Sequence, residues 1–295
     1  TDGITKLITP DFSGTGDNGD VITVLINSNT YTATVDNSGK WSVNVADALI
    51  DGEYDYTITA TDIAGNTKII PGSIEVDSTA PTLVNKGLTT ASDTGSSNSD
   101  DLTKDVTPVI QGTGQIGVEI KVLIDGQLYE TTVDNNGKWS VHVSDTLSDG
   151  TYLYTVTATD IAGNTKTSSD TIEIDTQAPA LVDNGLSDDS DTGSSNTDNI
   201  TKKTSQVIEG TSEIDAKITV IINSKTYTAT VDSSGSWSVN VTDALGDGTH
   251  AYTVTATDAA GNTREENGEI TLDTTISLTG GLDVVSDTGI SNSDN

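Results

Sequence analysis

Apolar and polar residues alternate with a period of two along most of the chain. In "KWSVNV" the residues Trp41, Val43 and Val45 fall on one face and Lys40, Ser42 and Asn44 on the other, as a half-buried strand requires. "YDYTITATD" repeats the pattern, with Tyr54, Tyr56, Ile58 and Ala60 directed inward. No segment carries the 3.6-residue period over a useful helical length. Turn chemistry separates the runs: "DNSG", "DNNG" and "DSSG" precede the three tryptophans, and Asp-Gly recurs at 51–52, 149–150 and 247–248.

The pattern is itself repeated. Trp41, Trp139 and Trp237 stand 98 residues apart, and the same offset relates "TDIAGN" at 61–66 to "TDIAGN" at 159–164 and "TDAAGN" at 257–262. A unit of this length is large enough to bury its own core. In the second unit, strands are predicted near 107–113, 118–124, 127–133, 138–143, 151–159 and 169–175, with one more on "APTLVNKG". Seven short strands with closely spaced turn signals form the pattern of an Ig-like sandwich. The fold class predicted is all-β, with three tandem Ig-like β-sandwich domains in an elongated rod. The boundaries are set at 1–98, 99–196 and 197–295, with an alternative phase near 78 and 176. On the first phase, "TTISLTGGL" at 274–282 is expected to pack back on the third unit.

Composition narrows the function. The 295 residues carry 45 acidic and 13 basic side chains, a formal net charge of −32. Nucleic acid is excluded as a partner, because its binding releases counterions through a basic surface that this chain lacks. The acidic excess is lopsided, 35 Asp against 10 Glu. Asp competes for its own backbone in helices and favours turns, and it is a ligand for hard cations. Cysteine is absent, so neither a disulfide framework nor a thiolate metal site is possible. No run approaches the ~18 apolar residues of a membrane span, and membrane insertion by this segment is not expected. The chain opens inside a repeat and reads as a piece of something longer.

"GKWSVNV", "DGEYDYTITATDIAGN", "IEVDSTAP" and "SDTGSSNSD", in that order, resemble the tandem bacterial Ig-like repeats of giant non-fimbrial adhesins exported by type I secretion. The resemblance covers all three units. It implies a calcium-bearing, rod-like stalk, secreted and held at a bacterial cell surface, contributing to virulence by projecting a tip that meets the host cell. The partners implied are neighbouring repeats of the same chain and, through the distal tip, the host surface; the segment is expected to be monomeric. In the third unit "LDTTISLTG" departs from the "VDSTAPTLV" exit, losing Pro and two residues.

The candidate ligands are carboxylates. A nonapeptide recurs as "SDTGSSNSD" at 92–100, "SDTGSSNTD" at 190–198 and "SDTGISNSD" at 286–294. Calcium takes six to eight oxygens from carboxylates, amides and carbonyls that tight turns gather. The copies supply Asp93, Asn98 and Asp100, then Asp191, Asn196 and Asp198, then Asp287, Asn292 and Asp294. The competing reading is an acidic, solvated linker. A second set comes from Asp77 and Asp175 at the ends of the last strands and from Asp62, Asp160 and Asp258 in the "TDxAGN" loops. Asp77 is expected to approach Asp160 across the first junction, together with the nonapeptide, and Asp175 to approach Asp258.

Other chemistry is sparse. His142 and His250 do not recur in register, Arg264 is the sole arginine, and no phosphate-binding glycine loop precedes a helix. The three tryptophans share the inward face with valines and read as core. Tyr31, Tyr129 and Tyr227 are open to either role, and Lys6, Lys104 and Lys202 read as solvated. The chain is therefore read as no enzyme. Its function is read as a calcium-stiffened stalk segment, the alternative being a repeat that itself binds a host glycan or receptor.

Overall fold

A computed structural model describes residues 3–280, all β and turn, with no helix among them. They fall into two compact units divided after Asp175. The first unit holds two sandwiches and the second holds one, so the fold is all-β with three Ig-like bodies.

In the second sandwich, a five-stranded sheet runs in the order Gln127–Thr132, Glu119–Ile124, Gly150–Thr159, Thr165–Ile174, Leu102–Thr103. It faces a three-stranded sheet of Lys138–His142, Val109–Gly114 and Leu83–Leu88. The third sandwich repeats this arrangement, with Leu181–Leu186, Gln206–Ser212 and Ser236–Val241 forming the smaller sheet. In the first sandwich the smaller sheet has only two strands, Asp11–Thr15 and Lys40–Asn44.

Alternation decides which side chains meet between the sheets. Val122, Val156 and Val143 are fully buried in the second sandwich, and Val220, Val254 and Val241 in the third. The tryptophans belong to the same cores: Trp139 and Trp237 are 3% exposed and Trp41 is 9% exposed, so none offers a flat platform to a ligand. Hairpins close on the two-residue pairs Asn27-Ser28, Asp125-Gly126 and Asn223-Ser224, all with positive φ. Such turns match the right-handed twist of the strands they join.

The strands near 118–124, 127–133, 138–143 and 151–159 lie where the alternation puts them. Two features depart from it. The last strand starts at Thr165 rather than 169, because the polar run "TKTS" is held by the full ladder to Gly150–Thr159 and not by burial. The two-residue strand Leu102–Thr103, parallel to Glu173 and Ile174, is too short to show any period.

The tail also differs from expectation. Thr274 bonds back to Asp247 through its N–H (3.1 Å) and hydroxyl (2.7 Å), but Ile276 and Leu278 are 97% and 94% exposed. Nothing in 276–280 packs on the third sandwich; the missing proline and inward apolar residues remove the anchors that the earlier exits have.

Candidate functional site

The nonapeptide is built into its own sandwich, between the strands Leu83–Leu88 and Leu102–Thr103. Ser92 and Asp93 turn off the strand Leu83–Leu88, their N–H groups donating to the Thr89 carbonyl at 2.9 and 2.8 Å. Ser92 Oγ accepts from Val109 N at 3.0 Å, and the Ser92 carbonyl accepts from Thr103 Oγ1. Thr94 Oγ1 accepts from Lys104 N at 2.9 Å. These bonds hold both ends of the loop, and the glycine bend between them leaves Asn98 and Asp100 exposed. The third sandwich reproduces the scheme. Asp191 N donates to the Ser187 carbonyl (2.8 Å), Ser190 Oγ accepts from Val207 N (2.9 Å), and Thr201 Oγ1 donates to the Ser190 carbonyl (2.6 Å).

Asp93 and Asp191 are each 4% exposed. One carboxylate oxygen is satisfied: Asp93 Oδ2 accepts from Asp101 N at 3.3 Å and Asp191 Oδ2 from Asn199 N at 3.0 Å. The other, Oδ1 in both, is buried with no hydrogen-bond partner. Burying an unpaired carboxylate oxygen is costly, and the same orphan appears at the same place in two repeats. Burial pushes the Asp93 carboxyl above the ordinary carboxylate range; the Asp101 N–H opposes this, and the carboxylates of Asp100 and Asp101 reinforce it. In the third repeat Asp198 and Asn199 occupy these two positions. Asp101 and Asn199 also lie under the positive-φ glycines Gly87 and Gly185 and accept from Leu88 N (2.7 Å) and Leu186 N (2.8 Å).

An orphaned buried carboxylate oxygen beside further carboxylates suits a hard cation. The set is incomplete in side chains alone: among the described residues no three His, Cys, Asp or Glu side chains converge as a metal site. Asn196 Nδ2 donates to Asp188 Oδ1 at 3.1 Å, and Asp100 and Asp198 accept from the N–H two residues on, at 3.4 and 3.1 Å. Asp287, Asn292 and Asp294 lie outside the described residues.

The second candidate set is divided differently from expectation. In the first unit Asp77 does meet the loop of Asp160, but through Asn164, whose Nδ2 donates both to the Asp77 carbonyl (2.7 Å) and to Asp160 Oδ2 (3.0 Å). Asp160 Oδ1 accepts from Asn164 N at 2.8 Å, so both its oxygens close its own loop. Asp62 and Asp258 do the same with Asn66 and Asn262. Asp77 Oδ1 accepts from Thr79 N at 3.0 Å.

The nonapeptide of the second sandwich does not share a pole with Asp160. Leu102–Thr103 pairs with the end of Thr165–Ile174, opposite Gly150, whereas Asp160 follows Thr159 at the far end of a ten-residue strand. That strand separates the two by about 30 Å. Asp93 and Asp100 instead stand at the pole where the chain leaves through Asp175, whose N–H donates to the Thr103 carbonyl at 2.9 Å. Strand direction alone decides this, and the motif spacing does not carry it.

Several residues that matter went unrecognised in the sequence. Lys6, read as solvated, donates from Nζ to the Gly163 carbonyl at 3.0 Å. Asp51, read only as turn chemistry, latches the exit segment: Oδ1 accepts from Ser78 N (2.9 Å) and Ser78 Oγ (2.6 Å). These bonds, the Ser78 hydroxyl foremost, hold its carboxyl below the ordinary range. The threefold Asp before Gly was the available signal. Tyr31, Tyr129 and Tyr227 resolve as struts, each donating to an aspartate sixteen residues on at 2.8, 2.7 and 2.7 Å. His250 substitutes for a tyrosine: its Nε2 meets the Gly246 carbonyl at 2.7 Å, as the hydroxyls of Tyr54 and Tyr152 meet Ile50 and Ser148.

The family described as bacterial Ig-like domain matches residues 1–78, 79–176 and 178–274. No match is found among curated proteins. Similar solved structures include a Ca2+-stabilized adhesin that helps an Antarctic bacterium reach out and bind ice. It is 34% identical, covering 90% of this chain and 69% of that one, with a TM-score of 0.38. A 1.5-MDa bacterial ice-binding adhesin is 27% identical over 92% of this chain and 93% of its own, with a TM-score of 0.37. A single bacterial Ig-like domain from the M. primoryensis ice-binding adhesin is 33% identical over 32% of this chain and 96% of its own, with a TM-score of 0.23. With the family matching nearly the whole length in three successive blocks, each carrying one sandwich, the chain belongs to the bacterial Ig-like domain family.

Proposed function

We propose that this chain is a stalk segment of a large, secreted bacterial surface adhesin, and that calcium bound at the nonapeptides stiffens it. The observation that carries the reading is the pair of buried, unpartnered oxygens, Asp93 Oδ1 and Asp191 Oδ1, in the repeated motif. Asp93 and Asp191 would hold the ion from within, with Asp100 and Asp198 and the amide oxygens of Asn98 and Asn196 closing from the exposed side; Asp287 and Asp294 repeat the motif. Asp77, Asp160, Asp175 and Asp258 act at the unit ends, where Asn164 already ties two of them. The repeats are proposed to divide near 78 and 176, because the strand Leu83–Leu88 hydrogen-bonds with Val109–Gly114 and the family matches break at 78/79.

Position gives the ion its mechanical role. The nonapeptide of the second sandwich sits beside the segment leading from Asp175 to the next repeat, so ordering that loop restricts the exit direction. The sequence motifs that resemble adhesin repeats supply the setting.

Calcium titration by calorimetry, with small-angle scattering on the same samples, tests the reading. Saturable binding that magnesium does not reproduce, with a narrower distribution of dimensions in calcium than in chelator, is the expected result. Magnesium dehydrates reluctantly and demands a tighter octahedral shell. Absence of binding heat, or identical scattering in calcium and chelator, overturns it.

A further inference from the structure

The nonapeptide loops of the second and third sandwiches differ by one exchange of charge with a neighbouring strand. In the second, the residue after the nonapeptide is Asp101, whose N–H donates to Asp93 Oδ2 at 3.3 Å and whose Oδ1 accepts from Leu88 N at 2.7 Å. In the third, Asn199 makes the same two bonds, its N–H donating to Asp191 Oδ2 at 3.0 Å and its Oδ1 accepting from Leu186 N at 2.8 Å. The backbones agree as well, with φ at 59° in Asp101 and 57° in Asn199. Both side chains pack on a glycine, Gly87 or Gly185, where a Cβ would collide with their Oδ1. Acid and amide thus take one pose in one pocket.

The strand on the other side of that glycine carries the opposite choice. Asn85, in Leu83–Leu88, accepts from Gly87 N at 3.3 Å and donates from Nδ2 to the Tyr154 hydroxyl at 2.8 Å. Asp183, in Leu181–Leu186, accepts from Gly185 N through Oδ1 at 3.0 Å and from the Tyr252 hydroxyl through Oδ2 at 2.7 Å. Each repeat therefore holds one carboxylate and one amide around the glycine, with the carboxylate on the loop in the second and on the strand in the third. Two carboxylates there would repel. The Asp101 charge does reach across: burial pushes the Tyr154 hydroxyl up, the Asn85 bond opposes this, and the Asp170 and Asp101 carboxylates add to the rise. The rest of the loop follows the same trend. Where the second repeat has Asp105 the third has Lys203, whose Nζ donates to the Asp189 carbonyl, and Asp188 is exposed and accepts from Asn196 Nδ2 at 3.1 Å. Residues 89–105 carry a net −3 and residues 187–203 a net −2.

We propose that the two calcium sites are graded, the loop of the second sandwich binding calcium about tenfold more tightly than that of the third, because the carboxylate of the acid–amide pair lies on the loop in one and on the strand in the other. The proposal rests on the reading of the nonapeptides as calcium sites. Asp93 Oδ1 and Asp191 Oδ1 are the same buried orphan in both, so the charge beside them is what differs. A carboxylate of Asp101 attracts a divalent ion, whereas the amide of Asn199 offers no net charge and its nitrogen is a donor. The Asp183 carboxylate does not make up the loss, since Tyr252 and Gly185 N already hold its two oxygens. Charge count at constant geometry is a standard way in which calcium affinities are tuned. Calcium then orders the two loops in succession as its concentration rises, and not together.

Calorimetric titration of the full chain with calcium tests this, beside Asp93→Asn and Asp191→Asn to assign each binding heat to its loop. The heat lost with Asp93→Asn is expected to have a dissociation constant about tenfold below that of the heat lost with Asp191→Asn. Asp101→Asn should weaken the tighter site by about tenfold, and Asn199→Asp combined with Asp183→Asn, which moves the third repeat's charge onto its loop, should tighten the weaker one as much. A second readout needs no metal. In chelator, Asn199→Asp alone sets two carboxylates around Gly185 and should lower the melting midpoint of the third sandwich, and adding Asp183→Asn should restore it. Equal dissociation constants in the parent, or an unchanged constant in Asp101→Asn, overturn the grading and leave the calcium reading standing. A chelator midpoint that Asn199→Asp does not move overturns the charge exchange on which the grading depends. Binding heat that survives both Asp93→Asn and Asp191→Asn, or no binding heat in the parent, overturns the calcium reading itself and the grading with it.

Discussion

Replacing Asp93 and Asp191 together with Asn separates a metal site from a solvated loop. The substitution keeps shape, and the amide oxygen still accepts from Asp101 N and Asn199 N, bonds now 3.3 and 3.0 Å long. It removes a charge that is nearly buried and has one oxygen without a partner. In chelator the variant should therefore match the parent or exceed it by up to ~1 kcal/mol per repeat, since only an uncompensated desolvation is lost. In calcium the order reverses. An ion present at 100 times its dissociation constant stabilises the folded state by about 2.7 kcal/mol per site. For a domain of this size each kcal/mol moves the midpoint by about 4–8 °C, so the parent's second and third sandwiches should gain about 11–22 °C. The first sandwich has no copy of the loop among its described residues and serves as the internal control. Calorimetric melts of parent and variant, each in calcium and in chelator, resolve the four states. If the variant gains as much from calcium as the parent does, Asp93 and Asp191 hold no ion and the buried orphans have another cause.

A Cβ added at Gly112 would lie 2.2 Å from the Val84 carbonyl and 2.4 Å from Trp139 Cζ2, whereas at Gly14 the nearest atom among the described residues is Trp41 Cζ2 at 2.8 Å. Gly112→Ala should thus cost about 3 kcal/mol or more and Gly14→Ala clearly less, measured by urea unfolding. Tyr252→Phe leaves the Asp183 carboxylate without its 2.7 Å donor, while Tyr154→Phe removes a neutral bond to Asn85; losses of about 1.5–3 and 0.5–1.5 kcal/mol are expected, and equal losses would show that the charge does not matter. The Asp36, Asp134 and Asp232 carboxyls are held below the ordinary range, chiefly by Lys40 N, Lys138 N and the Ser234 hydroxyl respectively. Because their folded values are depressed, the stability they add is present above the unfolded value of 3.8 and is lost as pH falls through the folded values. Carboxyl NMR titration should place their midpoints below those of exposed aspartates.

Much of the fold was legible because it rests on local rules. Trp41, Val43 and Val45 alternate, and period-two alternation with one apolar face leaves a strand few alternatives. The three-fold register followed from the 98-residue spacing of the tryptophans, and turn residues marked the hairpins. Asp93 and Asp191 stood out as repeated acids in a bent loop, and their burial singles them out from Asp100 and Asp198, which remain exposed.

What the sequence by itself determined, then, is the β class, the repeat and the list of candidate acids. The tertiary structure decided which of them meet. The nonapeptide sits at the exit pole of its own sandwich because Leu102–Thr103 pairs in parallel with the end of a strand more than sixty residues later. No local spacing encodes that pairing. The covering strand was equally invisible, since nothing local in "VIQGTG" names Leu83–Leu88 as its neighbour. Periodicity fixes which face of a strand is apolar, but the partner that covers it comes from elsewhere in the chain, and that choice belongs to long-range pairing.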